Sequence, residues 1–229
     1  MGDPVLVVAA HGDDEVLGAG GTIAAHVRAG DTVAVLILSM NDGSRPESDR
    51  HGEAARLASA RAAQELLGVA SLTLHELPDN GFDTVTRLAV ARLVEAAVAR
   101  TRPRLVYTHH GGDLSADHRT TYEAVMTATR PQPGHCVKEV LTFEIRSSTD
   151  WAFPGEGTLA FAPDTWVVLD RRAVELKMRA LEAYSQELHP FPHSRSIEAA
   201  RALLAHRGAQ VGVTAAEAFS TVRRVLQHS

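Results

Sequence analysis

Val5 to Ala10 reads VLVVAA, six apolar residues with no polar interruption. A strand with one wet face alternates polar and apolar residues. An unbroken apolar strand is expected to be buried on both faces, with helices above and below its sheet. The neighbouring segments supply those helices. Glu15 to Ala29 has helical spacing, with Leu17, Ile23, Ala24 and Val27 on one side and Gly30 as its stop. Thr32 to Leu38 repeats the buried-strand pattern. Asn41 to Gly52 is polar and reads as a loop, and Glu53 to Leu67 is an alanine-rich helix closed by Gly68. A strand over Leu72 to Leu77, a helix over Thr84 to Arg100 and a strand over Arg104 to Thr108 continue the alternation. Strands alternating with helices predict an α/β fold with a mainly parallel sheet flanked by helices and right-handed crossovers.

Beyond Thr108 the pattern predicts a helix ending near Thr129 and strands over Lys138 to Arg146 and Thr165 to Leu169, the latter two suited to a sheet edge. A helix over Ala173 to Leu188 is broken at Pro190 and Pro192 and resumes over Ile197 to Arg207. No repeat, low-complexity tract or linker divides the chain, so residues 1–229 are expected to form a single domain.

The formal net charge of -5 argues against a basic nucleic-acid-binding face. Cys136 is the only cysteine, which excludes an internal disulfide and a thiolate cluster. The first ten residues lack signal-peptide character, and no apolar run has membrane-spanning length. A cytoplasmic protein without a membrane partner is expected. Twelve histidines make metal binding worth testing.

The chemistry concentrates after two of the strands. His11-Gly12-Asp13-Asp14-Glu15 follows the first, and His109-His110-Gly111-Gly112-Asp113-Leu114-Ser115-Ala116-Asp117-His118 follows the fourth. Ligands of open parallel sheets bind beyond the carboxyl ends of the strands, so these loops can meet at one crevice. Imidazoles and carboxylates without thiolates suit zinc. His11 and Asp14, three residues apart across a strand-to-helix turn, can point at one ion while Asp13 projects elsewhere, and His118 can be the third ligand. Three protein ligands leave a position for water, and Asp13 is the nearest unassigned carboxylate to take its proton. In isolation Asp13 and Asp14 read first as helix caps, and His118 as an ordinary helix residue. The two motifs together favour metal.

The HGDDE stretch resembles the AHPDDE signature of the PIG-L/LmbE family of zinc-dependent de-N-acetylases, with Gly12 in place of the proline. His109, Asp113, Asp117 and His118 resemble the family's HxxxDxxxDH element. Supporting likenesses are Arg56 on the second helix, Leu77-Pro78-Asp79-Asn80, Ser147-Ser148-Thr149-Asp150-Trp151, and Pro190-Phe191-Pro192-His193-Ser194-Arg195-Ser196. The resemblance implies a Rossmann-like fold and hydrolysis of an N-acetyl group. The substrate class it implies is an N-acetylated amino sugar, or a glycoside or nucleotide carrying one. It implies one zinc ion per chain on His11, Asp14 and His118, with Asp13 as general base. A homo-oligomer is compatible with it. Many members carry a histidine three residues before the last ligand, where this chain has Ser115. His109, His110 and His193 are the candidates to replace it, with His109 favoured for its place at the head of the second motif.

Arg56, His110 and His193 are candidate substrate-binding residues, and Asp117 is placed to orient a ligand. His193 and Arg195 lie in a proline-bounded loop that can reach the site, and Trp151 can stack on a sugar ring or fill a lid. Gly18-Ala19-Gly20-Gly21 resembles part of a dinucleotide fingerprint, but it falls after the acidic loop and suits close helix packing better. The rival readings are a Rossmann-type dinucleotide enzyme and a non-catalytic metal- or carbohydrate-binding protein.

Overall fold

The computed structural model describes residues 2–41, 52–152 and 159–226. Most of the polar loop expected between residues 41 and 52 lies outside them. Seven strands form one sheet: β1 (Pro4–His11), β2 (Thr32–Ser39), β3 (Ser71–Leu74), β4 (Leu105–His109), β5 (Glu139–Phe143), β6 (Thr165–Val168) and β7 (Ala216–Arg224). Their order is β3-β2-β1-β4-β5-β7-β6. The first five are parallel, and β7 runs antiparallel to both β5 and β6. The helices are α1 (Asp14–Ala29), α2 (Glu53–Leu67), α3 (Arg87–Thr101), α4 (Ala116–Ala128), α5 (Arg171–Ala183) and α6 (Ile197–Ala209). This is the α/β architecture expected from the pattern.

β1 is buried on both faces. Val5, Val7 and Ala9 pack into a core shared with residues of α1, α2, α5 and α6, while Leu6, Val8 and Ala10 pack toward α3 and α4. The glycines of α1 lie within the helix. A Cβ at Gly18 would come within 2.4 Å of the Phe143 ring, and one at Gly21 within 2.4 Å of Leu169 Cδ1. They allow the helix to approach its neighbours, and they do not form a phosphate-binding turn at its N-terminus. That placement removes the basis for the dinucleotide reading.

The C-terminal end departs from expectation. The sequence pattern predicts no strand over residues 216–224, yet β7 inserts between β5 and β6, so that of the two strands expected at a sheet edge β5 is interior and β6 alone lies at an edge. The proline-bounded segment between α5 and α6 includes a short 3-10 turn at Ser185–Glu187. It is tied by backbone bonds from His193 N to Pro190 O and from Ser196 N to His193 O.

Candidate functional site

Strand order reverses between β1 and β4, because successive strands leave β1 in one direction and later strands extend from β4 in the other. A crevice forms at such a point. The β1–β4 ladder pairs Val5 to Leu105, Leu6 to Val106 and Val7 to Tyr107. Beyond it the loops carrying His11 to Asp14 and His109 to His118 face each other. Ser115 caps α4 by accepting the His118 N–H at 3.4 Å, which puts Asp117 and His118 on the first helical turn.

Three side chains converge on one point. His11 Nδ1 lies 3.2 Å and His118 Nε2 3.3 Å from Asp14 Oδ2. Each imidazole is held from behind: His11 Nε2 is 2.9 Å from Asp117 Oδ2, and His118 Nδ1 is 3.1 Å from Asp113 Oδ1. Asp117 is itself fixed by the Phe82 N–H at 2.9 Å. Asp113 accepts from Ser115 N at 2.9 Å, from Thr149 Oγ1 at 2.6 Å and from Ser148 Oγ. A carboxylate behind an imidazole keeps the proton on the rear nitrogen and leaves the front one to coordinate.

His11, Asp14 and His118 can place ligand atoms within 4.8 Å of one another. Among the described residues Asp14 Oδ1 is buried without a hydrogen-bond partner, an acceptor that a cation would satisfy. Burial pulls the His11 and His118 pKa values down, but the carboxylates outweigh it and raise them to about 10 and about 9. Burial opposes ionisation of Asp14, but His118 and His109 hold its carboxyl well below the usual range. The cluster is rich in negative charge, and a divalent ion would replace the protons that balance it. Two nitrogens, a carboxylate oxygen and no sulfur fit zinc. A second grouping, His11 with Asp79 and Asp117, uses the opposite ring nitrogen, so it competes with the first through the protonation of one imidazole.

Asp13 stands beside this cluster on the cleft. Its backbone has φ 106°, outside the regions that non-glycine residues favour. Glu15 holds it there: Oε2 accepts the Asp13 N–H at 3.2 Å, while Oε1 accepts from Gln64 Nε2 at 2.6 Å and from the Tyr184 hydroxyl at 2.8 Å. Burial pushes the Asp13 carboxyl well above the usual range, and Arg195, with Nη1 at 3.2 Å from Oδ2, only partly offsets this. Burial likewise raises Glu15 to about 7. The cleft measures about 450 Å³. Leu114, Ser148 and the half-exposed Trp151 line it together with Arg56, Asp79, Gln186 and Arg195.

Of the expected site residues, His11, Asp13, Asp14, His118 and Asp117 come together, and Arg56 lines the cleft with its Nε bonded to the Met40 carbonyl. Three histidines do not reach it. His109 has no exposed surface: its ring stacks on His118 at 3.9 Å, and its Nε2 accepts the Ala10 N–H at 2.8 Å, just beyond the residues where β1 and β4 pair. Burial, aided by His118, lowers its pKa to about 3, so it is neutral, and its Nε2 also lies 3.5 Å from Asp14 Oδ2. His110 turns to a separate cavity of about 290 Å³ and bonds Leu159 O at 2.8 Å. His193 shapes its own loop by accepting the Arg195 N–H at 3.0 Å. None of the three lines the cleft around Asp13, so the geometry lends no support to an acid supplied there by one of them. Asp113, Glu15, Tyr184 and the Ser148–Thr149 pair join the expected residues around the site. Glu15 and Asp113 sat inside the recognised motifs. Tyr184 gave no local signal.

Residues 6–129 match the family described as PIG-L: GlcNAc-PI de-N-acetylase. The chain belongs to this family. A curated relative, the uncharacterized deacetylase YaiS of Escherichia coli K12, is 27% identical over 189 residues, covering 79% of this chain and 89% of that protein. Among solved structures, GalB, the 4-carboxy-2-hydroxymuconate hydratase of Pseudomonas putida KT2440, superposes with a TM-score of 0.75 at 24% identity, covering 98% of each chain. The N,N'-diacetylchitobiose deacetylase of Pyrococcus horikoshii gives 0.71 at 19% identity, covering 96% of this chain and 83% of that one. The fold is that of these proteins, and family and site together support a deacetylase-type hydrolase with a metal-binding cluster.

Proposed function

We propose that this chain is a zinc-dependent de-N-acetylase acting on an N-acetylated amino sugar, or on a glycoside or nucleotide that carries one. The observation that carries the reading is the convergence of His11 Nδ1 and His118 Nε2 on Asp14 Oδ2, with Asp13 beside them on the cleft. One zinc ion per chain would be held by His11, Asp14 and His118. When bound, such an ion supplies Lewis acidity and lowers the pKa of water to about 7. Asp13 takes the proton from the attacking water, and its buried carboxyl, raised above the usual range, suits that task. Asp117 and Asp113 fix the ring tautomers, and Glu15 keeps Asp13 in its strained backbone position. Arg56 and Trp151 meet the amine-bearing part of the substrate. A cytoplasmic location and a single catalytic domain over 1–229 complete the reading. In support, no helix among the described residues is long and apolar enough to cross a membrane, and one sheet contains every named strand.

GalB shares the fold and is a hydratase, so the fold alone does not select an amide as the substrate. Release of free amine does. Zinc-loaded protein incubated with a panel of N-acetylated amino sugars is expected to liberate amine. Asp13→Asn should retain zinc and lose about 10²- to 10⁴-fold in turnover. No amine from any acetylated substrate would refute the reading. Full zinc and full turnover in Asp13→Asn would remove Asp13 as the base.

A further inference from the structure

Attack on an acetamide carbonyl places negative charge on its oxygen, and preorganised donors or cations facing that atom are the usual source of its stabilisation. The histidines expected to help are not in the cleft, and the Ser115 hydroxyl is engaged as the α4 cap. Arg195 is in the cleft. Its side chain is 23% exposed, its Nη1 lies 3.2 Å from Asp13 Oδ2, and its Nε donates to Ser147 Oγ at 2.7 Å. Glu187 is 4.0 Å from the same Nη1. Its Nη2 makes no hydrogen bond among the described residues.

The backbone around Arg195 is also specified. Its N–H is taken by His193 Nδ1, and its carbonyl accepts the His189 N–H at 3.3 Å. Both residues it grips have left-handed backbone, Asp13 with φ 106° and Ser147 with φ 72°. Non-glycine residues hold such conformations only where their surroundings enforce them, and such positions cluster at functional sites. Here two of them meet on one guanidinium.

We propose that Arg195 is a catalytic residue whose guanidinium faces the carbonyl oxygen of the bound acetamide and stabilises the charge that develops there. The inference rests on the deacetylase reading. An ion pair with Asp13 alone would weaken the base that the reaction needs. The same cation directed at the oxygen offsets that loss. Distances allow it. A base reaches its proton over about 2.6–3.2 Å, and water attacks from about 3–3.5 Å. The carbonyl group therefore lies within roughly 6 Å of Asp13, a range within reach of the far end of a guanidinium already bonded to that carboxylate.

The water oxygen bonds the carbonyl carbon, one water proton passes to Asp13, and the carbonyl π pair moves onto the oxygen facing Arg195. Return of that pair breaks the C–N bond, and the proton on Asp13 passes to the departing nitrogen. The products are the free amine and acetic acid, which ionises to acetate.

The test uses zinc-loaded protein carrying Arg195→Ala and Arg195→Gln, the second retaining side-chain volume should the first fold poorly. Thermal midpoints near wild type establish folding. Turnover is expected to fall about 10²- to 10³-fold with KM changed only a few-fold, and guanidinium at sub-denaturing concentration should restore part of it to Arg195→Ala. Acetate, titrated by NMR, is the second probe. In an Asp13→Asn background, adding Arg195→Ala should weaken acetate binding at least about tenfold, because the contact to the reacting group does not pass through Asp13. Unchanged kcat, a defect confined to KM, or acetate affinity unaffected in the Asp13→Asn background would each overturn the proposal. If wild-type protein releases no amine from any substrate, the deacetylase reading has failed. The acetate titration then decides Arg195 alone, and equal affinities with and without the arginine would reject it.

Discussion

Glu217→Ala is expected to be among the most destabilising single changes outside the metal cluster. Glu217 reaches from β7 to the middle of α1. Its Oε1 accepts from Lys177 Nζ at 2.6 Å and from Gly21 N at 3.0 Å, and its Oε2 accepts from Thr22 N at 2.6 Å. Lys177 Nζ also donates to Leu17 O at 2.6 Å. The Leu17 carbonyl and the Gly21 amide, which stand i to i+4 in the helix, thus each take a charged partner. Both side chains are 3% exposed. Alanine at 217 strands a buried ammonium, and breaking such a pair from one side costs about 3–5 kcal/mol. For a protein of this size, each kcal/mol moves the melting midpoint by about 2–4 °C, so a fall of roughly 6–20 °C is expected. Urea unfolding at fixed zinc concentration, analysed for midpoint and slope, measures it. The pair need not be stabilising in net. Lys177→Met with Glu217→Leu removes both charges and should recover most of the loss, short of the bonds to the Gly21 and Thr22 amides. A Glu217→Ala protein within about 1 kcal/mol of wild type would refute the reasoning, because a penalty of several kcal/mol follows only if the ammonium stays buried and unpaired.

Asp113→Ala should lower zinc affinity about 10- to 100-fold by releasing the His118 ring, with Asp113→Asn intermediate; chelator competition measures this, and an affinity equal to wild type would exclude the role. His110→Ala should leave turnover within about threefold of wild type, since removing a group outside the cleft withdraws no general acid; a loss of 10²-fold would return His110 to the reaction. Asp31, bonded to His26 at 2.7 Å, has its carboxyl held below the usual value. A depressed carboxylate stabilises the fold above its unfolded pKa and loses that contribution as pH falls through the folded one, so Asp31→Asn should flatten the acid limb of stability below about pH 4. Identical limbs in urea melts across pH would reject that assignment.

The parts of the fold legible in the sequence are those whose burial is written locally. β1 and β2 are apolar on both faces, so their runs need no tertiary information. β7 reads AEAFSTVRR, with Ser220, Thr221, Arg223 and Arg224 in its second half and a buried Glu217 in its first. It offers neither an apolar run nor clean alternation, and its place depends on pairing with β5 and β6 from distant parts of the chain. β4 is buried on both sides from Val106 to His109, so period two along it does not tell a His109 that faces the core from one that faces the cleft.

The same distinction separates the metal cluster from the rest of the site. His11, Asp14 and His118 come from two short motifs at strand ends, and the carboxylates behind them, Asp113 and Asp117, come from one of those motifs. That much is local chemistry. The cleft around Asp13 is assembled from afar: Tyr184 and Gln64 hold Glu15, Ser148 and Thr149 hold Asp113, and Arg195 joins Asp13 to Ser147. A sequence therefore reveals which atoms can bind an ion more readily than what faces the substrate. The two kinds of information have different consequences. On the proposed reading the cluster would set how water is activated, whereas the loops bearing Trp151, Gln186 and Arg195, which line the cleft, would set which carbonyl or ring is presented to it. A fold shared by a hydratase and a deacetylase is what this division of labour permits. The loops can change while the strand ends stay as they are, and the assignment of a substrate must come from the residues that the loops deliver.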